Sequence, residues 1–476
     1  MNFMSNFLQK NSRTVILIVL LGFIVRLAFM FFVAKSYFGR ENIYLDRDFT
    51  AWSVTFENLL KHGVFSYDLT EEYGYFGRMP GYPLFIGIFY LITGNWESSL
   101  PLIAWAQILL DCLAIFLVYK IGEMIFKNRK ISILLSILYS LYPFIIVWNP
   151  VAYSESASIF FMILFAYFLL KNTNISVFLA GLAISAAIHC RPQLLLLAPI
   201  GVLFFLYGYK LKTLPYKKAL LYIFAVFLLY GWWPLRNYFG YNKVILTHDI
   251  RAFDNAEEDF VSFLQYIYSV KTEFEPQFSQ ILHNQKVEMP EIAYSLPGDS
   301  AKLEMALFLA KNYGASFSRW SGYWKKPFTE PNYNKEISIL FDGLRENQIR
   351  NYPMRYYVYL PLQNLSKALF KLKLNDTKTM ARKLASLLFV YRTFLLLSGI
   401  FGFIILWRKK LLSPFIVVVV TYFILLYLFL CAGTGPQFRN IEMRYFLPAD
   451  VLMIIPAAFF LYFIYERFRP KKVNPV

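Results

Sequence analysis

The chain has 476 residues, 58% hydrophobic and 20% aromatic. That content excludes a soluble globular protein and leaves room for about ten membrane spans of roughly 20 residues each, plus one large loop. The net charge of +18 would suggest a nucleic-acid partner in a soluble chain, but here the lysines and arginines fall in short loops between apolar runs, where they orient the protein, so no nucleic acid is expected.

In chain order, apolar runs fall at about 15–34, 100–120, 131–149, 152–170, 175–190, 193–208, 217–235, 386–407, 413–432 and 446–465. The expectation is an all-α, polytopic helical bundle of about 10 to 11 spans. Lys10 and Arg13 precede the first run and no small-residue cleavage site follows it, which reads as a retained first span. The run 84–94 is too short to cross and is read as an interfacial or re-entrant helix. With the N-terminus inside, Lys120, Lys127, Arg129, Lys130, Lys171, Lys210, Lys212, Lys217, Lys218, Arg408, Lys409, Lys410, Arg467, Arg469, Lys471 and Lys472 all fall on the cytoplasmic side, and the short outer connections hold only Arg191, Arg439 and Arg444. Counting 84–94 as a span would invert every later loop.

This topology gives a membrane module at 1–235 with a first outer loop at 35–99, an extracytoplasmic loop subdomain at 236–385, and C-terminal membrane helices at 386–476. The subdomain carries amphipathic patterns at 303–320 and 353–372 and turn signals at Pro290, Pro297, Gly298 and Pro331, so it is expected to be mostly helical and to rest on the membrane. Cys112, Cys190 and Cys431 lie in or beside apolar runs without metal-ligand spacing and read as packing residues.

Chemistry-bearing residues concentrate in the first outer loop. Between Tyr44 and Pro83 the chain is acidic and aromatic, and Phe49, Trp52, Phe56, Leu59 and Leu60 recur at helical spacing before a stop at Gly63. The spacing predicts an amphipathic helix at the water-lipid boundary with its apolar face down and Asp48 at its start. Asp48 then has two readings, an N-cap or a group facing a lipid headgroup. Asp46 and Arg47 read as solvated loop charges. Glu155 lies between two runs with hardly any loop around it, where an acid is costly and tends to be functional. Arg78, Arg191, Arg236 and Arg444 all fall on the outer side, and guanidinium groups at headgroup depth suit phosphate as well as they suit anchoring. His62, His189, His248 and His283 have no metal-binding spacing, and neither a phosphate-cradling glycine loop nor a Ser-His-Asp ordering can be read.

On Asp48, Trp52, Leu59, Leu60 and Gly63, with Arg78-Met79-Pro80, Ser154-Glu155, Arg191-Pro192, Trp233-Pro234, Arg236-Asn237-Tyr238 and Arg444-Tyr445, the chain resembles the GT-C membrane glycosyltransferases, in the branch of protein O-mannosyltransferases and aminoarabinose transferases. Phe49 stands where that family commonly has a second acid, and Trp52 where it has tyrosine. The resemblance implies transfer of a sugar, with inversion, from a polyprenyl-phosphate donor to a hydroxyl of an envelope glycan, lipid or protein acceptor. Asp48 would be the general base, Glu155 the second catalytic acid, and Arg78, Arg191, Arg236 and Arg444 the donor-phosphate ligands. A divalent metal is left open as cofactor. The setting expected is a bacterial inner membrane with the site facing outward. A transporter or flippase, or a polymerase or ligase, of lipid-linked saccharides is the alternative. A transporter would need polar groups spread through the depth of the membrane, whereas the acids and arginines singled out here gather at the outer boundary.

Overall fold

The computed structural model describes residues 10–46, 48–70, 72–211, 215–249, 257–317, 333–371, 380–433, 439 and 441–469. Arg47, Lys212, Pro331, Lys471, Lys472 and the 318–320 end of the first amphipathic pattern lie outside them. All regular structure among the described residues is helical.

Helix α1 (Lys10–Ala28) runs on through a π turn to Phe38. Two short helices follow in the first loop, α2 (Phe49–His62) and α3 (Gly81–Thr93). Next come α4 (Trp96–Phe126), α5 (Arg129–Ser140), α6 (Ser154–Lys171), α7 (Asn174–Cys190), α8 (Leu197–Lys210), α9 (Lys217–Tyr230) and α10 (Trp232–Tyr241). A loop segment carries α11 (Glu258–Val270), α12 (Glu275–Leu282), α13 (Asp299–Tyr313), α14 (Asn334–Asn351) and α15 (Leu360–Phe370). The chain closes with α16 (Met380–Arg408), α17 (Pro414–Ala432) and α18 (Met443–Phe468).

Among the described residues seven helices are long and apolar enough to cross a membrane, Arg13–Phe38, Trp96–Phe126, Ser154–Lys171, Pro192–Lys210, Leu384–Arg408, Pro414–Ala432 and Met443–Phe468, and α9 with α10, bent by 45°, would make an eighth. The two remaining sequence runs do not give helices as long as those seven. The run 131–149 breaks after Ser140 because Pro143 disfavours helical geometry at Tyr142, which sits at ψ 108°. The run 175–190 gives a 17-residue helix that Arg191-Pro192 ends.

The first loop departs from its expected role as a lipid-facing strap. Helix α2 does end where expected, on Gly63 at φ 68°, whose N–H bonds the Leu59 carbonyl. Its apolar face, however, is covered by protein. Phe49 and Phe56 stack edge-on against Trp96, and Trp52 against Tyr82 and Tyr153, while Leu60 remains exposed. A Cβ on Gly81 would lie 2.7 Å from the backbone of His189. Only glycine lets the start of α3 press this closely against the end of α7.

Helices α11, α13 and α14 enclose a core of their own around Phe263, Tyr266, Phe317 and Phe341. Helix α15 leaves that core and wedges into the membrane helices. Asn364 donates to the Cys431 carbonyl at the end of α17, and the Ala368 and Leu369 carbonyls accept from Arg392 and Thr393 of α16.

Charge is not confined to one boundary, which corrects the sequence reading. Two buried ion pairs lie inside spans. Arg26 of α1 binds Asp111 of α4 at 2.7 Å, with Tyr139 donating to the other carboxylate oxygen at 2.6 Å. Arg392 binds Asp450 of α18 at 2.6 Å, and Tyr427 of α17 donates to Asp450 at 2.5 Å. Both sit against the break in the run 131–149. Arg26 donates to the orphan Ser140 carbonyl, and Tyr142 lies within hydrogen-bond reach of Arg392. Each is a neutral, hydrogen-bonded knot, which is how charge survives inside a membrane bundle. Neither offers the free charged group that a transport path would require.

Candidate active site

Asp48 occupies the N-cap position of α2 but does not cap it. Its side chain makes no capping bond to α2. It turns instead to two arginines from distant parts of the chain. Arg444 Nη1, on the first turn of α18, donates to Asp48 Oδ2 at 2.8 Å, and Arg78 Nη2 lies 3.8 Å from Oδ1. Tyr153 adds a side-chain hydrogen bond to the same carboxylate. Burial alone would raise the Asp48 pKa, but Arg444, then Arg78, then the hydrogen bonds from Arg444 and Tyr153 outweigh it and hold the carboxyl below its ordinary value. About one third of the side chain stays exposed (33%), so the group is charged yet reachable.

Each arginine is braced. The Arg78 guanidinium carbon lies 4.7 Å from the centre of the Trp52 ring, which α2 positions. Arg444 lies 5.4 Å from the Tyr153 and Tyr445 rings, and its Nε forms an ion pair with Glu442 at 2.8 Å.

Glu155 and Arg191 form the second pair. Glu155 is in the first turn of α6 and Arg191 is the extended residue between α7 and Pro192, so two helix ends meet in one buried ion pair. The Glu155 carboxylate accepts no other hydrogen bond among the described residues. The two pairs adjoin. The Tyr445 ring lies 5.4 Å from the Arg444 guanidinium and 5.7 Å from that of Arg191, and the Ala152 N–H, three residues before Glu155, bonds the Tyr44 carbonyl at 2.9 Å on the loop that carries Asp48. Asp46 is bound separately by Arg40 at 2.8 Å.

Arg236 is not brought to this cluster. Its guanidinium donates to the carbonyls of Tyr75 at 2.9 Å and Phe65 at 3.0 Å and packs on Trp233 and Tyr241. That consumption of donors makes it a clamp on the first loop. Replacing it with alanine is expected to cost about 1–3 kcal/mol in unsatisfied carbonyls and to raise amide hydrogen exchange across residues 64–78. Unchanged exchange there would contradict the clamp.

Among the described residues no three His, Cys, Asp or Glu side chains gather. Asp48 and Glu155 are each already held by arginine, so these residues do not fit a divalent cation, and no step is routed through one. His248, set aside in the sequence for want of metal-binding spacing, lies within electrostatic reach of both Arg78 and Arg191. Only its fold neighbours reveal it, since a lone histidine carries no motif.

Residues 10–237 match the family described as GPI transamidase subunit PIG-U. No curated protein matches the chain. Among solved structures, the archaeal oligosaccharyltransferase AglB from Archaeoglobus fulgidus, in complex with an inhibitory peptide and a dolichol-phosphate, aligns with 95% of this chain and 50% of its own length at a TM-score of 0.53 and 12% identity. The chain thus spans about half the length of that protein. ArnT from Cupriavidus metallidurans, bound to undecaprenyl phosphate, aligns with 97% of this chain and 81% of its own at a TM-score of 0.38 and 13% identity, a likeness too distant to argue from. The fold shared with AglB runs through nearly the whole chain, and the protein is a multi-pass integral membrane protein of the GT-C fold.

Proposed function

We propose that the chain is a membrane glycosyltransferase that moves a sugar from a polyprenyl-phosphate donor to an acceptor hydroxyl on the extracytoplasmic side. The observation that carries this reading is Asp48, an ionised and accessible carboxylate gripped by Arg444 and Arg78. Two arginines beside a carboxylate are what a phosphate leaving group and a general base require at one site.

While paired, Asp48 is a weak base. A donor phosphate draws Arg78 and Arg444 toward itself, and as they leave the carboxylate its basicity returns toward the ordinary range. Asp48 then takes the proton of the acceptor hydroxyl, whose oxygen bonds to the anomeric carbon as the bond from that carbon to the phosphate oxygen breaks. In-line displacement inverts the centre, and the arginines hold the charge that collects on the departing lipid phosphate. Glu155 fixes Arg191, which adjoins Arg444 across the Tyr445 ring and serves as a further phosphate ligand. The charge asymmetry of the loops supports an outward-facing site, and the division at 1–235, 236–385 and 386–476 is retained as a working description of module, loop subdomain and C-terminal helices.

Release of polyprenyl phosphate from a polyprenyl-phosphate sugar by the purified chain in nanodiscs tests the proposal. Replacing Arg78 with alanine should raise the donor KM about tenfold, the scale of one lost charge-assisted hydrogen bond. A donor KM unchanged from wild type would return Arg78 to an anchor. The match of residues 10–237 to a transamidase subunit favours a second reading, a lipid-saccharide-binding subunit that performs no transfer. It expects donor binding without turnover in the same assay.

A further inference from the structure

Residues 242–249, after α10, have no regular structure, yet their backbone is held at almost every step. The Asn237 amide donates to the Ile245 carbonyl at 2.8 Å, the Tyr230 hydroxyl to Leu246 at 2.8 Å, and the Trp233 indole to Thr247 at 2.5 Å. Two residues on, the Asp249 N–H bonds the Phe76 carbonyl at 3.0 Å, in the loop that carries Arg78. Trp233 and Asn237 are fully buried, so their polar atoms serve this strap. A loop that only connects would leave its carbonyls to water. Three consecutive carbonyls fixed by three side chains serve to place whatever follows, and the residue that follows is His248.

His248 is half-buried, and the charged groups in its electrostatic reach include Arg78, Asp249 and Arg191. Arg78 belongs to the Asp48 pair and Arg191 to the Glu155 pair, so the imidazole lies where the two halves of the site meet. Burial first, and then Arg78, keeps it uncharged, with its pKa pushed down to about 4. A neutral imidazole still carries one N–H donor. Between two cations it can join an anion site without adding a third charge to repel them.

Resting on the reading of the ligand as a lipid phosphate, we propose that His248 is a further donor-binding residue, giving its N–H to the phosphate of the polyprenyl carrier alongside Arg78 and Arg191, and that Trp233, Asn237 and Tyr230 serve to deliver it. The Trp-Trp-Pro-Leu-Arg-Asn segment then has two duties. Arg236 clamps the first loop, and Trp233 and Asn237 set the strap above it.

The test is binding of undecaprenyl phosphate to the purified full chain in nanodiscs, for wild type, H248F and H248Q, with the melting temperature of each. Phenylalanine fills the space without a donor and should weaken binding about tenfold, the scale of one hydrogen bond to a charged group. Glutamine restores an N–H donor and should stay within about threefold of wild type, because only the bond and not the ring is required. Wild-type-like binding by H248F would overturn the proposal and leave the reading of the site standing. Equal weakening in both variants with lowered melting temperatures would also overturn it, by making His248 a structural part of the strap. Failure of the wild type itself to bind would remove the lipid-phosphate reading and this inference together.

Discussion

Replacing Asp48 with asparagine should lower sugar transfer by at least about a hundredfold, the low end of what a positioned base contributes, while the melting temperature barely moves. Asparagine preserves the shape of the side chain. Because Asp48 makes no capping bond, no helix stability depends on its charge. The ion pairs with Arg444 and Arg78 are partly exposed, and pairs of that kind contribute about 0–1 kcal/mol. Activity and stability therefore separate in this variant. Activity within a few-fold of wild type would remove Asp48 as base and turn the search to Asp46, held by Arg40, and Glu155, held by Arg191.

The largest effect on stability is expected at the Arg392–Asp450 knot. Replacing Arg392 with methionine leaves the Asp450 carboxylate buried with only the Tyr427 hydroxyl for company, and breaking a buried pair in this way typically costs about 3–5 kcal/mol. It also frees the Ala368 carbonyl and so loosens α15 in its wedge. Replacing both partners, as in R392M with D450L, removes the uncompensated charge and should recover most of that loss. Denaturant unfolding in detergent measures both. A double variant as unstable as the single would mean that the knot contributes packing and no electrostatic coupling. Because Asp450 and Arg444 lie on the same helix, R392M should also weaken donor binding, through displacement of Arg444 rather than through any contact with the ligand.

Hydropathy made the spans and the short helix α3 legible, because roughly 20 apolar residues are needed to cross a bilayer and few other constraints produce such runs. Helix α2 was legible from the spacing of Phe49, Trp52 and Phe56, but its burial was not. Amphipathicity states which face is apolar and leaves open whether lipid or Trp96 and Tyr82 will cover it. Asp48 stood out as the acid that opens the amphipathic helix, and Glu155 as an acid where an acid is costly. Their partners could not be read, since Arg444 lies 396 residues from Asp48 and local sequence carries no record of so distant a contact. Arg26, Asp111, Arg392 and Asp450 are single charges inside apolar runs, and that alone was an unused signal. Arg236 misled because a guanidinium suited to phosphate is equally suited to two backbone carbonyls.

Everything proposed for the site turns on Asp48 serving a sugar transfer. Its most direct test is mass spectrometry of glycans, glycolipids and glycoproteins from cells carrying the intact gene, no gene, or the D48N gene at equal protein level. One glycoconjugate should gain a sugar residue with the intact gene and lack it in both other strains. A sugar present in the D48N strain and absent only without the gene would contradict it, and would leave the protein as a subunit whose presence, and not whose carboxylate, is required.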